Sequence, residues 1–81
     1  MKPNEKAQKG LKLLEEAILE ILAQKSDGLR NAEIAEILEI HSDYLGEQKD
    51  YLSWSVLGLL LNESKVVRKG NKYFVAGKEA Q

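Results

Sequence analysis

Apolar residues recur at helical spacing near the start of the chain. They are separated by three or four positions, with lysines and glutamates between them: Leu11, Leu14, Ile18, Ile21 and Leu22. One apolar face and one charged face are typical of an amphipathic helix that packs on a core. The stretch Ser26-Asp27-Gly28 is expected to end this helix, because glycine readily adopts the left-handed conformation that closes one. Leu29 follows as an isolated apolar residue.

Two further helices are predicted in the middle of the chain. The first covers residues 31–38, with isoleucine and leucine inward and glutamates outward. Residues 41–46 are predicted to form a loop, because they contain Ser42-Asp43 and a glycine and have no sustained period. The second helix covers about residues 48–62 and is apolar on nearly every side.

The apolar residues of this third helix form two stripes. One stripe is predicted to face the core: Leu52, Val56, Leu59 and Leu60. The other has spacings of three, four and three residues: Tyr51, Trp54, Gly58 and Leu61. A helix that is hydrophobic on all sides is buried on most of them. Because a domain of 81 residues can hardly cover both stripes, the second is predicted to contact a partner.

Residues 64–76 have the pattern of a β-hairpin. Two short apolar runs flank a basic tip, whose central dipeptide Gly70-Asn71 favours a tight primed turn. The turn predicts the register: Val66 opposite Val75, Val67 opposite Phe74, Arg68 opposite Tyr73 and Lys69 opposite Lys72. Because side chains alternate between the two faces of a strand, Lys65, Lys69 and Lys72 should share the face opposite to that of Arg68 and Tyr73.

Length and composition favour one compact domain. The chain has 81 residues, a net charge of −1 and no cysteine, which removes disulfides and thiolate metal sites. No apolar run resembles a signal peptide or approaches the ~20 residues of a membrane-spanning helix, so we expect a soluble cytoplasmic protein without membrane partners. We expect residues 1–9 to form a flexible basic arm, residues 10–76 the domain and residues 77–81 a tail.

The small net charge conceals a strong segregation of charge. Residues 1–12 contain four lysines and one glutamate, and residues 13–63 contain eleven acidic and three basic residues. Residues 64–78 contain five basic residues and no acidic one. A local basic surface can attract a polyanion even when the whole protein is nearly neutral. The hairpin is therefore the candidate region for binding a polyanion.

The order of three helices followed by a hairpin resembles a winged helix-turn-helix domain. GLRNAEIAEILEI is similar to the second-helix segment of that superfamily, and LSWSVLGLLLNESKVVRKGNKYFV is similar to its third helix and wing. The resemblance implies an α+β, mainly α fold: three helices and a C-terminal two-stranded hairpin as the wing. It also implies a small protein that contacts double-stranded DNA, although the superfamily includes modules that bind only proteins.

Two details narrow the resemblance. The tryptophan of the third helix and the lengthened connection before that helix are similar to the N-terminal domains of Mrr-type restriction proteins. The functions implied are therefore a transcriptional regulator or an accessory of a restriction or defence system.

The basic wing supplies the candidate DNA contacts. Lysines that face each other across a hairpin repel, and a phosphate backbone would favour them because each neutralised phosphate releases counterions. The predicted contacts are Lys65, Arg68, Lys69 and Lys72, with Asn71 reaching a minor groove from the tip. The competing interpretation is that the lysines protect an exposed sheet edge from aggregation. Lys49, the one cation at the start of the third helix, is a further candidate DNA contact. Because two carboxylates lie beside it, base readout by this helix is not expected.

The second stripe of the third helix supplies the interface candidates, Tyr51, Trp54, Gly58 and Leu61. Aromatic residues concentrate in the buried centres of protein contacts. Glycine in a helix interior costs up to ~1 kcal/mol relative to alanine, and the close approach of another helix would explain Gly58. These residues predict a homodimer or a complex with a partner protein. The competing interpretation is ordinary core packing.

No catalytic residue, cofactor or metal site is predicted, and we do not expect an enzyme. His41, Ser42 and Asp43 have the side chains of a hydrolytic triad, but adjacent residues cannot converge as that chemistry requires. A metal site of Glu39, His41 and Asp43 lacks the ligand spacing of known motifs.

Overall fold

The computed structural model describes residues 1–44 and 46–77, and at residues 43, 44, 47 and 48 it describes the backbone alone. The elements of this part of the chain, in order, are α1 Pro3–Ala23, β1 Leu29–Arg30, α2 Asn31–Ile37, β2 Asp43–Tyr44, β3 Glu47–Gln48, α3 Tyr51–Asn62, β4 Val66–Lys69 and β5 Lys72–Val75. An antiparallel sheet has the order β1-β5-β4, and β2 pairs with β3. The fold is therefore α+β with three helices, as predicted. No helix among the described residues has the length and apolar character to span a bilayer.

Helix α1 begins at Pro3, although the apolar period predicts it only from residue 11. The segment assigned to a flexible arm is thus helical from residue 3. Proline suits the first helical position because its missing N–H would have no intrahelical partner there. The next residues include Glu5, Lys6 and Ala7, which are strong helix formers, so the helix extends although residues 1–10 are all exposed. The predicted tail lies outside the described residues from residue 78 onward.

The core lies between the helices and one face of the three-stranded sheet. Its buried residues come from six elements: Ile18, Leu22, Leu29, Ile34, Val56, Leu57, Leu60, Val66 and Tyr73. Leu11, Leu14 and Ile21 of α1 are partly buried against this cluster. The apolar face of α1 therefore packs as its period predicts.

Helix α3 presents a different face to the core from the one predicted. Leu52 and Leu59 are 46% and 40% exposed, whereas Ser53 and Leu57 are fully buried. The Ser53 hydroxyl donates a hydrogen bond to Asn31 Oδ1 at 2.6 Å. Because this bond satisfies the hydroxyl, a serine can occupy the inward side. A prediction from hydrophobicity alone puts Leu52 and Leu59 on the core-facing side of α3. For these two residues the prediction was wrong.

The C-terminal segment forms the predicted hairpin and pairs with an additional strand. The register of β4 and β5 is confirmed at all four pairs. Gly70 has φ +63°, as the first central residue of a type II′ turn requires. The prediction of two strands was incomplete, because β1 pairs with β5 through Leu29 opposite Tyr73 and Arg30 opposite Lys72. Strand β5 is consequently central and β4 lies at an edge.

The connection before α3 is also more ordered than a loop. Strands β2 and β3 pair through residues 43 with 48 and 44 with 47, so α3 begins at Tyr51 and not near residue 48. Asp50 precedes the helix in the left-handed conformation, with φ +53°. The backbone N–H of Leu52 donates to Ser42 Oγ at 3.0 Å, which satisfies one free amide at the helix start.

Candidate nucleic-acid interface

Three cations lie in one row across the sheet. Lys72 on the central strand pairs with Arg30 on one side and with Lys69 on the other. Directly opposed residues have Cβ atoms ~5 Å apart and project from the same face. We name Arg30, Lys72 and Lys69 the cation row. Like charges at directly opposed positions destabilise a sheet, so local pairing does not account for this row.

The two lysines of the cation row are exposed. Neither forms an ion pair with a carboxylate in the part of the chain that the structure describes. Arg30 differs from them, because its Nε lies 3.3 Å from Glu33 Oε1. Among the described residues, the row therefore offers two lysines without an ion pair, at its middle position and at β4, and an arginine with one at β1.

Glu33 is the carboxylate beside the cation row. The backbone N–H of Arg30 donates to Glu33 Oε1 at 2.9 Å, which also satisfies a free amide at the start of α2. This hydrogen bond is the main reason that the pKa of Glu33 is lowered, followed by the hydrogen bond from the Arg30 side chain. The charges of Arg30 and Lys72 lower it further. Glu33 of α2 thus places a negative charge beside the cation row.

The structure separates the remaining predicted DNA contacts from the cation row. Lys65 has the same strand parity but lies four residues before Lys69, ~13 Å along the strand. Its Nζ is 3.3 Å from Glu63 Oε1. Arg68 lies on the opposite face, where its Nε donates to the Gly70 carbonyl at 2.9 Å. Asn71 is exposed at the turn, and Lys49 is exposed before α3.

The opposite face of the hairpin forms one wall of a groove against α3. The groove has a volume of about 190 Å³ and is lined by Trp54, Ser55, Gly58, Leu61, Arg68 and Tyr73. The Arg68 guanidinium carbon lies 5.5 Å from the centroid of the Tyr73 ring, in range for a cation–π contact. Three of the four predicted interface residues therefore meet in one groove, and Tyr51 is the exception.

The predicted interface stripe is largely uncovered by the chain itself. Trp54 and Tyr51 are 55% and 42% exposed, so neither is a core residue. Leu61 is partly buried against the core. A Cβ atom placed on Gly58 would have no heavy atom within 4 Å, apart from its neighbours and its own helix backbone. Nothing in the described part of the chain therefore requires a glycine at this position.

His41, itself exposed, contacts a buried carboxylate at the start of α3. Its Nδ1 lies 2.6 Å from Oδ1 of Asp50, a residue that is only 4% exposed. The Asp50 carbonyl accepts a hydrogen bond from Asn31 Nδ2 at 3.1 Å. The hydrogen bond between Asn31 and Asp50 connects α2 to the start of α3. Ser42 Oγ caps α3 by accepting from the backbone N–H of Leu52. The Asp43 side chain lies outside the described residues, and those residues contain no group of three ligands suited to a metal ion.

Comparisons with protein-family models, with curated proteins and with solved structures find no match to this chain.

Arg30 is the one member of the cation row that was not predicted from the sequence. A single basic residue before a predicted helix suggests only a cap. Leu29, an isolated apolar residue after a glycine, is compatible with a short third strand. Predicting that strand would have placed Arg30 beside the hairpin.

Proposed function

We propose that this chain is a small winged-helix protein that binds double-stranded DNA through the cation row. The observation that carries the proposal is the opposition of three cations across three strands, two of them without an ion pair in the described residues. Such a row opposes folding by some tenths of a kcal/mol per pair. A phosphate backbone offsets this repulsion, because each neutralised phosphate releases condensed counterions.

The proposal for the fold rests on the order of the elements. Helix α1, strand β1, helices α2 and α3 and the hairpin occur in this order, with the short β2–β3 pair between α2 and α3. The sheet order β1-β5-β4 returns the hairpin beside β1. This arrangement supports a winged helix-turn-helix domain with the hairpin as its wing. The transcriptional regulator and the restriction accessory that the resemblance implies would both use such a surface.

The position of Lys72 argues against simple protection of a sheet edge. Protective lysines act on edge strands, whose backbone groups are free to pair with another chain. Lys72 lies on the central strand and pairs on both sides. Edge protection could account for Lys69 on β4 and Arg30 on β1, the two edge strands, but not for Lys72 between them, and so binding explains the row better.

Binding by this row should depend on phosphates and not on base sequence. Between Tyr51 and Asn62, α3 carries no charged residue and so offers no lysine or arginine for base edges. Contacts to two or three phosphates give a slope of log K against log salt of roughly −1.8 to −2.7. Raising the salt from ~50 to ~200 mM should then weaken binding by ~10- to 40-fold.

The test is titration of a labelled short duplex at several salt concentrations. The double variant Lys69→Ala/Lys72→Ala should bind more weakly and reduce the slope by about 1.8. The matched control is Lys65→Ala, since Lys65 is an exposed lysine just before β4 that already pairs with Glu63. Unchanged binding by the double variant, or an equal loss in the control, would remove the cation row from the mechanism.

The second candidate function is docking on a partner protein through α3. It is favoured by one observation, the exposed stripe of Trp54, Gly58 and Leu61 beside the groove. The same titration separates the two functions, because only DNA binding predicts steep salt dependence. If the titration shows no binding of duplex even at low salt, the result would favour docking on a partner protein over DNA binding.

A further inference from the structure

The uncovered stripe of α3 has the spacing of a helix-packing seam. Its residues are separated by three, four and three positions, and we name them the α3 seam: Tyr51, Trp54, Gly58 and Leu61. Alternation of three and four is the pattern with which two helices pack along a narrow line. The core uses the other side of α3, through Ser53, Val56, Leu57 and Leu60. The spacing therefore indicates a helix as the occupant of the seam.

Gly58 marks where that helix would come closest. A glycine within a helix costs up to ~1 kcal/mol relative to alanine, and no contact within the described chain compensates for it at Gly58. Small residues at a helix crossing let two backbones approach each other. The cost of Gly58 is explained if a second helix crosses α3 there.

We propose that the α3 seam binds the α3 seam of a second copy of this chain in an antiparallel, twofold-symmetric contact. A twofold axis beside Gly58 brings Trp54 of each copy opposite Leu61 of the other. Trp54 then enters the groove between α3 and the hairpin, which has a volume of about 190 Å³. A twofold contact uses the same patch on both copies, and this seam satisfies that requirement because each copy supplies both the tryptophan and the groove.

The absence of charge on α3 also suits a second copy. No residue from Tyr51 to Asn62 is charged, so identical helices meet without repulsion between like charges. Arg68 lines the groove and already lies near the Tyr73 ring. The face of an incoming tryptophan ring is the strongest aromatic partner for a guanidinium. The groove therefore suits the aromatic residue that the same chain provides.

The contact should be weak because it is small. Helix α3 has 12 residues and so a length of ~18 Å. Stable interfaces usually bury ~800 Å² per partner, which one short helix and a groove edge do not reach. We therefore expect a dimer with a micromolar or weaker dissociation constant. This inference does not rest on DNA binding, since the cation row projects from the other face of the hairpin.

Sedimentation velocity without nucleic acid tests the dimer from low to high micromolar protein. The wild type should pass from monomer to dimer over this range. The emission of Trp54, the one tryptophan of the chain, should shift to shorter wavelength over the same range because its indole becomes buried. Gly58→Glu should remain monomeric at every concentration, since it places a charge at the point of closest approach.

The matched control is Leu52→Glu, which introduces the same charge into α3 at a position that is 46% exposed and off the seam. It should dimerise like the wild type. Trp54→Ala is a second test if Gly58→Glu fails to fold, and it should weaken dimerisation at least ~10-fold. A wild type that stays monomeric at high micromolar concentration overturns the proposal. So does dimerisation that survives both seam variants.

Discussion

The two faces of the β4–β5 hairpin have opposite character although their residues alternate along the chain. One face carries Lys69 and Lys72 of the cation row, and the other carries Arg68 and Tyr73 beside the groove. Lys69 and Lys72 have no ion pair within the described residues, whereas Arg68 is held by the Gly70 carbonyl and lies near an aromatic ring. Neighbouring cations in one sequence can therefore serve different surfaces, because the side chains of a strand alternate.

Gly28→Ala should have the largest effect, because it breaks the geometry that brings β1 to the sheet. Gly28 has φ +77°, and a Cβ there would lie 2.7 Å from ring carbons of Phe74. The backbone strain and the overlap together should lower the free energy of unfolding by about 2–4 kcal/mol. Urea denaturation measures the loss.

Gly70→Ala is the matched control for that prediction. Gly70 also has a positive φ, +63°, but a Cβ there would meet nothing within 4 Å. It should cost only about 1–2 kcal/mol, from the backbone alone. Equal losses in the two variants would show that Phe74 does not pack over Gly28.

Ser53→Ala tests which side of α3 faces the core and therefore where the α3 seam points. The variant removes the hydroxyl that donates to Asn31 Oδ1 and leaves buried polar groups without their partner. We expect a loss of about 1–2 kcal/mol in the free energy of unfolding. Ser55→Ala, at an exposed serine of the same helix, should change stability by less than ~0.5 kcal/mol. Similar effects of the two variants would contradict the observed orientation of α3.

Lys72→Glu should change stability and DNA binding in opposite directions. The new carboxylate would face Arg30 and Lys69, replacing two repulsive pairs by attractive ones, and would add one weaker repulsion with Glu33, whose pKa the Lys72 charge lowers. The hairpin should gain about 0.5 kcal/mol of stability, while the affinity for duplex DNA should fall. Thermal unfolding and the duplex titration measure the two effects. A variant that is both less stable and unchanged in binding would show that the row serves the fold.

Glu33→Gln should have the smallest effect and concerns the carboxylate that partly neutralises the cation row. The folded-state pKa of Glu33 is lowered, so its ionised form stabilises the fold above the unfolded-state pKa near 4.5. That contribution is lost as the pH falls through the lowered pKa. Acid unfolding of the variant should therefore show a slightly weaker pH dependence below pH ~5.

At neutral pH the same variant should bind duplex DNA a few-fold more tightly, since a negative charge beside the row is removed. Glutamine keeps an oxygen that can accept from the Arg30 backbone, so the start of α2 is preserved. Weaker binding by the variant would show that Glu33 holds Arg30 in its binding position.

Local features of this sequence predict local structure well. The helical period of α1 and the dipeptide Gly70-Asn71 specify an amphipathic helix and a hairpin register that the structure confirms. The start of α1 is less predictable, because residues 3–9 form a helix without burying an apolar face. A prediction based on the spacing of apolar residues cannot detect a helical segment that buries no side chains.

The candidate surfaces were only half predictable. Lys69 and Lys72 follow from the hairpin, but Lys65 has the same parity and still lies apart, paired with Glu63. The exposure of Trp54 follows from an excess of apolar residues on α3, whereas the exposure of Leu52 does not. The difference arises because Ser53 takes the inward position through a hydrogen bond, and a hydrophobic pattern contains no information about such partners.

The three helices, the hairpin and the segregation of positive charge into that hairpin follow from local sequence, since each depends on residues close together in the chain. The place of Arg30 in the cation row depends on the overall fold, because its pairing with Lys72 joins residues 42 positions apart. The exposure of Trp54 on the α3 seam depends on the fold in the same way. Both outcomes depend on how distant elements pack, and that packing is set by the fit and the hydrogen bonds of the whole core.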